Sequence, residues 1–259
     1  MAIDLPFSAE ERQNAILEYI SKEKRVSVLA LCKEFGISEA TARRDLEILE
    51  KSGRVKRVWG GAIIDDTSPP ELPILIRESE QSIEKIKIGQ AVAKLIEPGE
   101  TVFLGSGSTV LEVARQLQNC QELTVLTNSL PIVNLLIGCK GITMVVFGGE
   151  LRDSELSFIG HITESALKEV RADKVILGAR AISLEYGITS DFLAETLTDR
   201  AIIKIGRQVI LVADHTKFGS VSTAFLAPLE DINLIVTDHS ISKDYLKSLE
   251  EKGIELLLA

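Results

Sequence analysis

The sequence predicts a small helical module carrying a β-hairpin, followed by a larger α/β domain built on a mostly parallel sheet. Three observations predict it. Two helical segments, each with its own cap, are joined through Phe35-Gly36. A basic-apolar alternation, RVKRVWGGAI (54–63), then runs into Gly60-Gly61. From Ser82 onward, amphipathic helical patterns alternate with the short apolar blocks TVFL (101), LTVLT (123), ITMVVF (142), KVILG (174), QVILV (208), NLIVT (233) and ELLL (255). Blocks this short, β-branched and apolar on both faces suit strands buried on both sides of a parallel sheet covered by helices. At 259 residues with 45% hydrophobic and 26% charged residues, the chain is long enough for two cores.

Each element has its own local reason. Ser8 and Glu11 form an S-x-x-E capping box, and Ile16, Leu17 and Ile20 follow at helical spacing, so a first helix is expected over 9–21. Ser27 is a natural N-cap for a second helix through Leu29, Ala30 and Leu31, which Gly36 ends in the left-handed conformation. Ser38 caps a third over 39–51, with Ala42, Leu46 and Leu49 as its inward stripe and Gly53 beyond its end. This is the outline of a helix-turn-helix, and the 54–63 hairpin is its wing. The stretch 65–73, DDTSPPELP, concentrates proline, acid and turn formers and reads as linker. The boundaries are therefore 1–64 for the first domain, 65–81 for the linker and 82–259 for the second domain.

A net charge of -9 argues at first against a nucleic-acid partner, since DNA affinity rests on neutralising phosphates. Its distribution reverses the argument: residues 24–62 carry nine basic and five acidic side chains, a local +4, so the acidic excess lies elsewhere. A basic module on an acidic body fits a DNA reader joined to a sensing domain. Cys32, Cys120 and Cys139 are far apart and lack metal-ligand spacing, so buried small hydrophobes are expected, with no metal site and no cofactor. No apolar run approaches the roughly twenty residues needed to span a bilayer. The opening MAIDLPFSAEERQ also lacks the pattern of a secretory leader, so a cytoplasmic protein without a membrane partner is expected.

The third helix begins Ser38-Glu39-Ala40-Thr41-Ala42-Arg43-Arg44-Asp45-Leu46. A helix of this kind enters the major groove with its N-terminal residues at base edges. Arg43 and Arg44 offer bidentate donors to guanine or phosphate, and Ser38, Glu39 and Thr41 share their face. Arg54, Lys56 and Arg57 on the wing add sequence-independent phosphate contacts. Asp45 is a candidate to orient one arginine. The plain alternative is a solvated helix whose arginines pair with Glu39, Asp45 or Glu47.

ERQNAILEYI (11–20) and FGISEATARRDLEILEKSGRVKRVWGGA (35–62) closely resemble the DNA-binding domain of DeoR-family regulators, whose signature is a Thr-x-Arg-Arg-Asp-Leu recognition helix and a wing ending in Gly-Gly-Ala. The resemblance implies operator DNA as partner and action as a repressor. One recognition helix reads few base pairs and two half-sites gain from symmetry, so a dimer or tetramer of identical chains is expected.

In the second domain the sharpest feature is TVFLGSGSTVLEVARQL (101–117), a buried strand, the loop Gly105-Ser106-Gly107-Ser108-Thr109, then an amphipathic helix. Two glycines let backbone N–H groups approach a phosphate, and the helix start adds a positive dipole end; a plain tight turn is the other reading. The carboxyl ends of parallel strands share one edge. That edge should gather Asn128-Ser129, Gly148-Gly149-Glu150 with Arg152, and Lys217 in ADHTKFG (213–219). GSGST (105), LTNS (126), FGGELR (147), FIG (158) and ADHTKFG (213) resemble the DeoR-family C-terminal sensor domain, similar in fold to ribose-5-phosphate isomerase and the coenzyme A transferases. The resemblance implies a phosphorylated sugar, sugar alcohol or related metabolite as effector.

Two places depart from the family pattern: Gly178-Ala179-Arg180-Ala181-Ile182 replaces a Gly-Ala-Asp-Gly-Ile type segment, and Asp199-Arg200 replaces Lys-Arg. Arg180 is either a cation near the pocket, favouring a carboxylated or doubly phosphorylated effector, or a surface residue. Glu195 matches a family glutamate, and either binds sugar hydroxyls or pairs on the helix surface with Arg200 or a nearby basic residue. An alternative from another class is a sugar-phosphate isomerase carrying a DNA-binding arm, with Glu195, Asp191 or Asp214 as base. Fold kinship does not carry activity across, so a non-enzyme is expected. A third reading makes the large domain an oligomerisation platform only.

Overall fold

The computed structural model describes residues 9–23, 25–51, 55–58, 60–64 and 72–259. Ser8, Gly53, Arg54 and residues 65–71 lie outside the described residues. The chain divides into two compact units, Met1–Pro70 and Glu71–Ala259.

In the first unit α1 (Ala9–Glu23), α2 (Val28–Phe35) and α3 (Glu39–Lys51) pack with a three-stranded antiparallel sheet of β1 (Arg25–Ser27), β2 (Val55–Val58) and β3 (Gly61–Ile64), ordered β1-β3-β2. Ser27 Oγ accepts the Ala30 N–H at 3.1 Å, and Gly36 ends α2 in the left-handed region. Ile16, Ile20, Leu31, Ala42, Leu46 and Leu49 form the core with Val26, Val55 and Ala62. Leu29 instead faces solvent. The strand β1 had no pattern of its own: three residues between two helices become a strand because β3 lies beside them. Position 61 must be glycine for that pairing, since a Cβ there would lie 1.9 Å from the Val26 carbonyl oxygen.

The second unit opens with α4 (Ile74–Arg77), within the stretch expected as linker. It belongs to this unit because Ile74 is buried and the Arg77 guanidinium binds Glu155. Then follow α5 (Ser82–Ala93), β4 (Thr101–Leu104), α6 (Ser108–Leu117), β5 (Leu123–Thr127), α7 (Leu130–Leu136), β6 (Ile142–Val146), β7 (Glu150–Arg152), β8 (Ser157–Ile159), α8 (His161–Leu167), β9 (Ala172–Gly178), β10 (Ala181–Ser183), β11 (Gly187–Ser190), α9 (Leu193–Ile205), β12 (Gly206–Val212), β13 (Ala224–Ala227), β14 (Leu234–Thr237), α10 (Lys243–Glu251) and β15 (Leu256–Leu258).

Seven strands, one per apolar block, form a single parallel sheet ordered β15-β14-β12-β9-β4-β5-β6. Alternate residues serve opposite layers. Phe103, Val175, Leu177, Val209 and Leu211 face a core with α8, α9 and α10. Val102, Leu104, Ile176, Ile210 and Val212 face one with α5, α6 and α7. β6 departs from the expectation of burial on both faces: it is the edge strand, and Val145 and Val146 remain partly exposed. Outside the sheet lie the β7–β8 hairpin and the small antiparallel sheet β10-β11-β13, both missed in the sequence because their strands are short and unpatterned. Among the described residues no helix is long and apolar enough to cross a membrane.

Candidate functional site

Two sites arise, one in each unit. On the first, Ser38 Oγ accepts the Thr41 N–H at 3.2 Å and lies 2.9 Å from Thr41 Oγ1, capping α3. Arg43 and Arg44 are exposed on the face opposite the buried Ala42, Leu46 and Leu49. Arg43 meets Glu39 at 3.2 Å one turn earlier, both side chains more than half exposed. On the wing Arg57 lies 3.8 Å from Glu50, and Lys56 is exposed. Exposed ion pairs of this kind are weak, so a phosphate can replace the carboxylate.

Asp45 corrects its expected role. It faces inward, 1% exposed, and receives Arg12 Nε at 2.7 Å, a second Arg12 N–H at 3.1 Å and Gln13 Nε2 at 3.1 Å. It locks α3 to α1 and holds the Arg12 guanidinium above its ordinary pKa, chiefly by its hydrogen bond and against the cost of burial.

On the second unit, strand order decides where a cavity can form. After β4 the chain moves outward through β5 and β6, then returns to the other side of β4 with β9 and continues through β12, β14 and β15. The loops after β4 and β9 therefore leave in opposite directions and open a crevice at the carboxyl edge. A small cavity, open to solvent, lies there. Ser106, Gly107, Ser108 and Thr109 line one side, Gly178, Ala179 and Arg180 another.

The loop geometry suits an anion. Gly107 has φ +112°, ψ 150°. The first bond of α6 runs from Leu111 N to Gly107 O at 2.9 Å, so the N–H groups of Ser108, Thr109 and Val110 have no helical acceptor and sit at the positive dipole end. Lys217 reaches the cavity from the short 3-10 turn after β12, where Asp214 Oδ1 accepts the Thr216 N–H at 3.0 Å. The neighbouring Asp238 accepts the His215 N–H at 2.8 Å. Burial pushes the Asp238 carboxyl up, but bonds from the His215 and Ser240 amides and the His215 ring outweigh it and hold it below the usual range.

Glu195 pairs with a basic residue other than Arg200, and does so in the cavity wall and not on the helix surface. In the first turn of α9 and 6% exposed, it lines the cavity and receives the Arg152 guanidinium, with Ser106 Oγ at 3.5 Å and Ser157 Oγ at 3.4 Å. Arg200 instead donates to the carbonyls of Phe225 and Leu226. Arg180 lines the cavity, with Nε 2.7 Å from Asp191, so its reading as a surface residue falls. Asp199 lines it too.

Other expected residues do not line this cavity. Gly105 packs beneath the loop, its N–H on the Ile176 carbonyl at 3.0 Å. Asn128 and Ser129 are buried, and Asn128 ties the end of β5 to Phe158. Gly148 accepts from Thr163 Oγ1 at 2.9 Å, Gly149 packs against Thr163 and Ile159, and Glu150 is exposed on β7. Arg152 meets the site through Glu195. The segment after β6 reaches the cavity farther on, at Glu155 between β7 and β8.

Arg77, Lys85 and Glu155 line the cavity and were missed. Lys85 left a signal: it begins the inward stripe Lys85, Ile88, Gly89, Val92 of α5, where a charge is out of place. Its ammonium, 3% exposed, donates to the Arg77 carbonyl at 2.6 Å and the Glu80 carbonyl at 2.5 Å. Burial lowers it to about 8; Asp214 opposes this, and Lys217 and Arg77 add to it.

Residues 12–68 match the DeoR-like helix-turn-helix domain and residues 80–239 the DeoR C terminal sensor domain. The transcriptional repressor AccR of Agrobacterium fabrum is 35% identical over 246 residues, covering 95% of this chain and 95% of its own. The glycerol-3-phosphate regulon repressor of Escherichia coli is 32% identical over 248 residues, covering 96% and 98%. Among solved structures, ribose 5-phosphate isomerase A of Methanocaldococcus jannaschii overlaps loosely, with TM-score 0.39 and 17% identity over 52% of this chain and 53% of that one. Both units and nearly the whole length thus agree: the chain belongs to the DeoR family of transcription regulators.

Proposed function

We propose that this chain is a repressor of carbohydrate-metabolism genes which holds operator DNA through Ser38, Glu39, Thr41, Arg43, Arg44, Arg54, Lys56 and Arg57. It lets go when a phosphorylated sugar or related metabolite fills the cavity beside β4 and β9. The observation that carries the reading is the convergence, at a topological switch point, of helix-start amides with two ammonium groups, Lys85 and Lys217, which repel each other until an anion joins them. Ser106, Gly107, Ser108 and Thr109 cradle the phosphate, while Glu195 and Asp199 face the hydroxyl-bearing part. The regulator acts as a homo-oligomer, turns nothing over and works in the cytoplasm. Effector occupancy shifts the population away from the DNA-competent arrangement.

Titration calorimetry with pentose, hexose and glycerol phosphates tests the sensing claim. The sign of its pH dependence follows from Lys85, which is charged below about 8 and loses its proton above it. A phosphate favours the charged form. Affinity should therefore hold level from pH 7 to 8 and fall by up to about tenfold per pH unit beyond. Lys85→Met should bind more weakly and lose that slope. If no phosphorylated metabolite binds, sensing falls; steady product formation would overturn the non-enzyme reading.

For the DNA side, Arg43→Ala and Arg44→Ala should each weaken operator binding by about 1–3 kcal/mol, roughly 5- to 150-fold, with effector affinity unchanged. Fluorescence anisotropy on a labelled operator measures it. Unchanged affinity in both variants would remove α3 as the reading helix.

A further inference from the structure

The stretch 72–81 is the first of the second unit after the division at Pro70, and charge more than apolar packing holds it in place. Ile74 is buried, but Leu75 and Ile76 are exposed. The polar fasteners are unusually good. Ile74 N–H donates to the Ser154 carbonyl at 2.8 Å, Arg77 Nε to the Leu72 carbonyl at 2.7 Å, and the Arg77 guanidinium to both oxygens of the buried Glu155. From the other side Lys85 clasps the Arg77 and Glu80 carbonyls. Arg77, Lys85 and Glu155 also line the cavity, so three of the groups that fasten this stretch are ones an entering ligand meets, whereas Glu78 is held by Arg115 at 2.8 Å outside the cavity lining.

We propose that Arg77, Glu155 and Lys85 form an anion-sensitive clasp: an anionic effector in the cavity draws the Lys85 ammonium and the Arg77 guanidinium from their present acceptors and releases residues 74–81. This rests on the reading of the cavity as the site of a phosphorylated effector. A phosphate dianion is a stronger acceptor for the Lys85 ammonium than two neutral peptide carbonyls, because it adds a direct attraction between opposite charges in a buried setting where a carbonyl offers only a dipole. The same dianion repels the Glu155 carboxylate and attracts its partner. Binding at the cavity therefore costs the fasteners of the one stretch joined covalently to the chain that leads to the DNA-binding unit. The effector supplies differential affinity for the two states of that stretch, which a population shift requires. Arg77 and Glu155 are positioning residues here, acting through the segment they hold.

Hydrogen exchange read by mass spectrometry on the full chain tests the clasp, with inorganic phosphate as probe and chloride at equal ionic strength as control. Phosphate should slow exchange in residues 105–111 and speed it about tenfold in 74–80. Slowing at 105–111 with no change at 74–80 overturns the clasp and leaves the cavity reading standing. No change in either segment overturns both. Glu155→Gln should give fast exchange at 74–80 without phosphate while 105–111 still respond. Arg77→Lys, which keeps the charge but cannot bridge both carboxylate oxygens while holding the Leu72 carbonyl, should fall between it and the parent. If both variants exchange at 74–80 as the parent does, the ion pair is no fastener and the proposal fails.

Discussion

Asp45→Ala is expected to destabilise the DNA-binding unit by about 2–4 kcal/mol, somewhat under the 3–5 typical of a broken buried pair, because the Arg12 side chain keeps 20% of its surface in water. The loss is large because Asp45 satisfies three donors at once, two from Arg12 and one from Gln13, and all three lose their acceptor together. At about 4–8 °C per kcal/mol for a unit of this size, its melting transition should fall by roughly 8–32 °C. The transition of the second unit should stay where it is. Asp45→Asn keeps one acceptor oxygen in place and should lose about half as much. Differential scanning calorimetry on the full chain, with the two transitions resolved, gives the answer. A lower transition unmoved in Asp45→Ala would mean that α3 is held to α1 by its apolar stripe alone.

Gly107→Asp should abolish the response to effector while sparing operator binding. Two costs combine. At φ +112° an L side chain is strained by about 1–3 kcal/mol even though a Cβ there would meet nothing within 4 Å. The new carboxylate also stands at the helix start where the phosphate is to bind, and like charges in such a site cost several kcal/mol, roughly 100- to 1000-fold in affinity. Gly107→Ala separates the two terms: it carries the strain without the charge, so it should lose stability but less than about tenfold in affinity. Calorimetric titration of both variants, paired with operator binding in the presence of ligand, measures the difference. Wild-type affinity in Gly107→Asp would place the phosphate elsewhere.

The expectations drawn from sequence succeeded where the information is local. Ser27, Gly36 and Ser38 announced the helix ends because capping is settled within three or four residues. The seven apolar blocks announced the central sheet because a strand buried on both faces needs little beyond its own composition. Ser106 to Thr109 and Lys217, all at strand ends, line one cavity. Arg77 and Glu155 did not, since each is ordinary in its own neighbourhood and they are 78 residues apart. Asn128, Gly148 and Glu150 also sit at strand ends, yet only the packed structure tells that they stay out of the cavity lining while Glu155, a few residues on, enters it.

Sequence by itself determined that this chain has a DNA-reading module with two exposed arginines on its third helix, and a parallel-sheet domain with a glycine-serine loop at a helix start. These follow from periodicity, caps and turn chemistry, which act over a few residues. Only the tertiary structure decided that Asp45 faces Arg12, that Glu195 takes Arg152 and that Lys85 is buried in the cavity wall. A charge finds its partner across the chain by desolvation and geometry, and neither exists until the layers have packed.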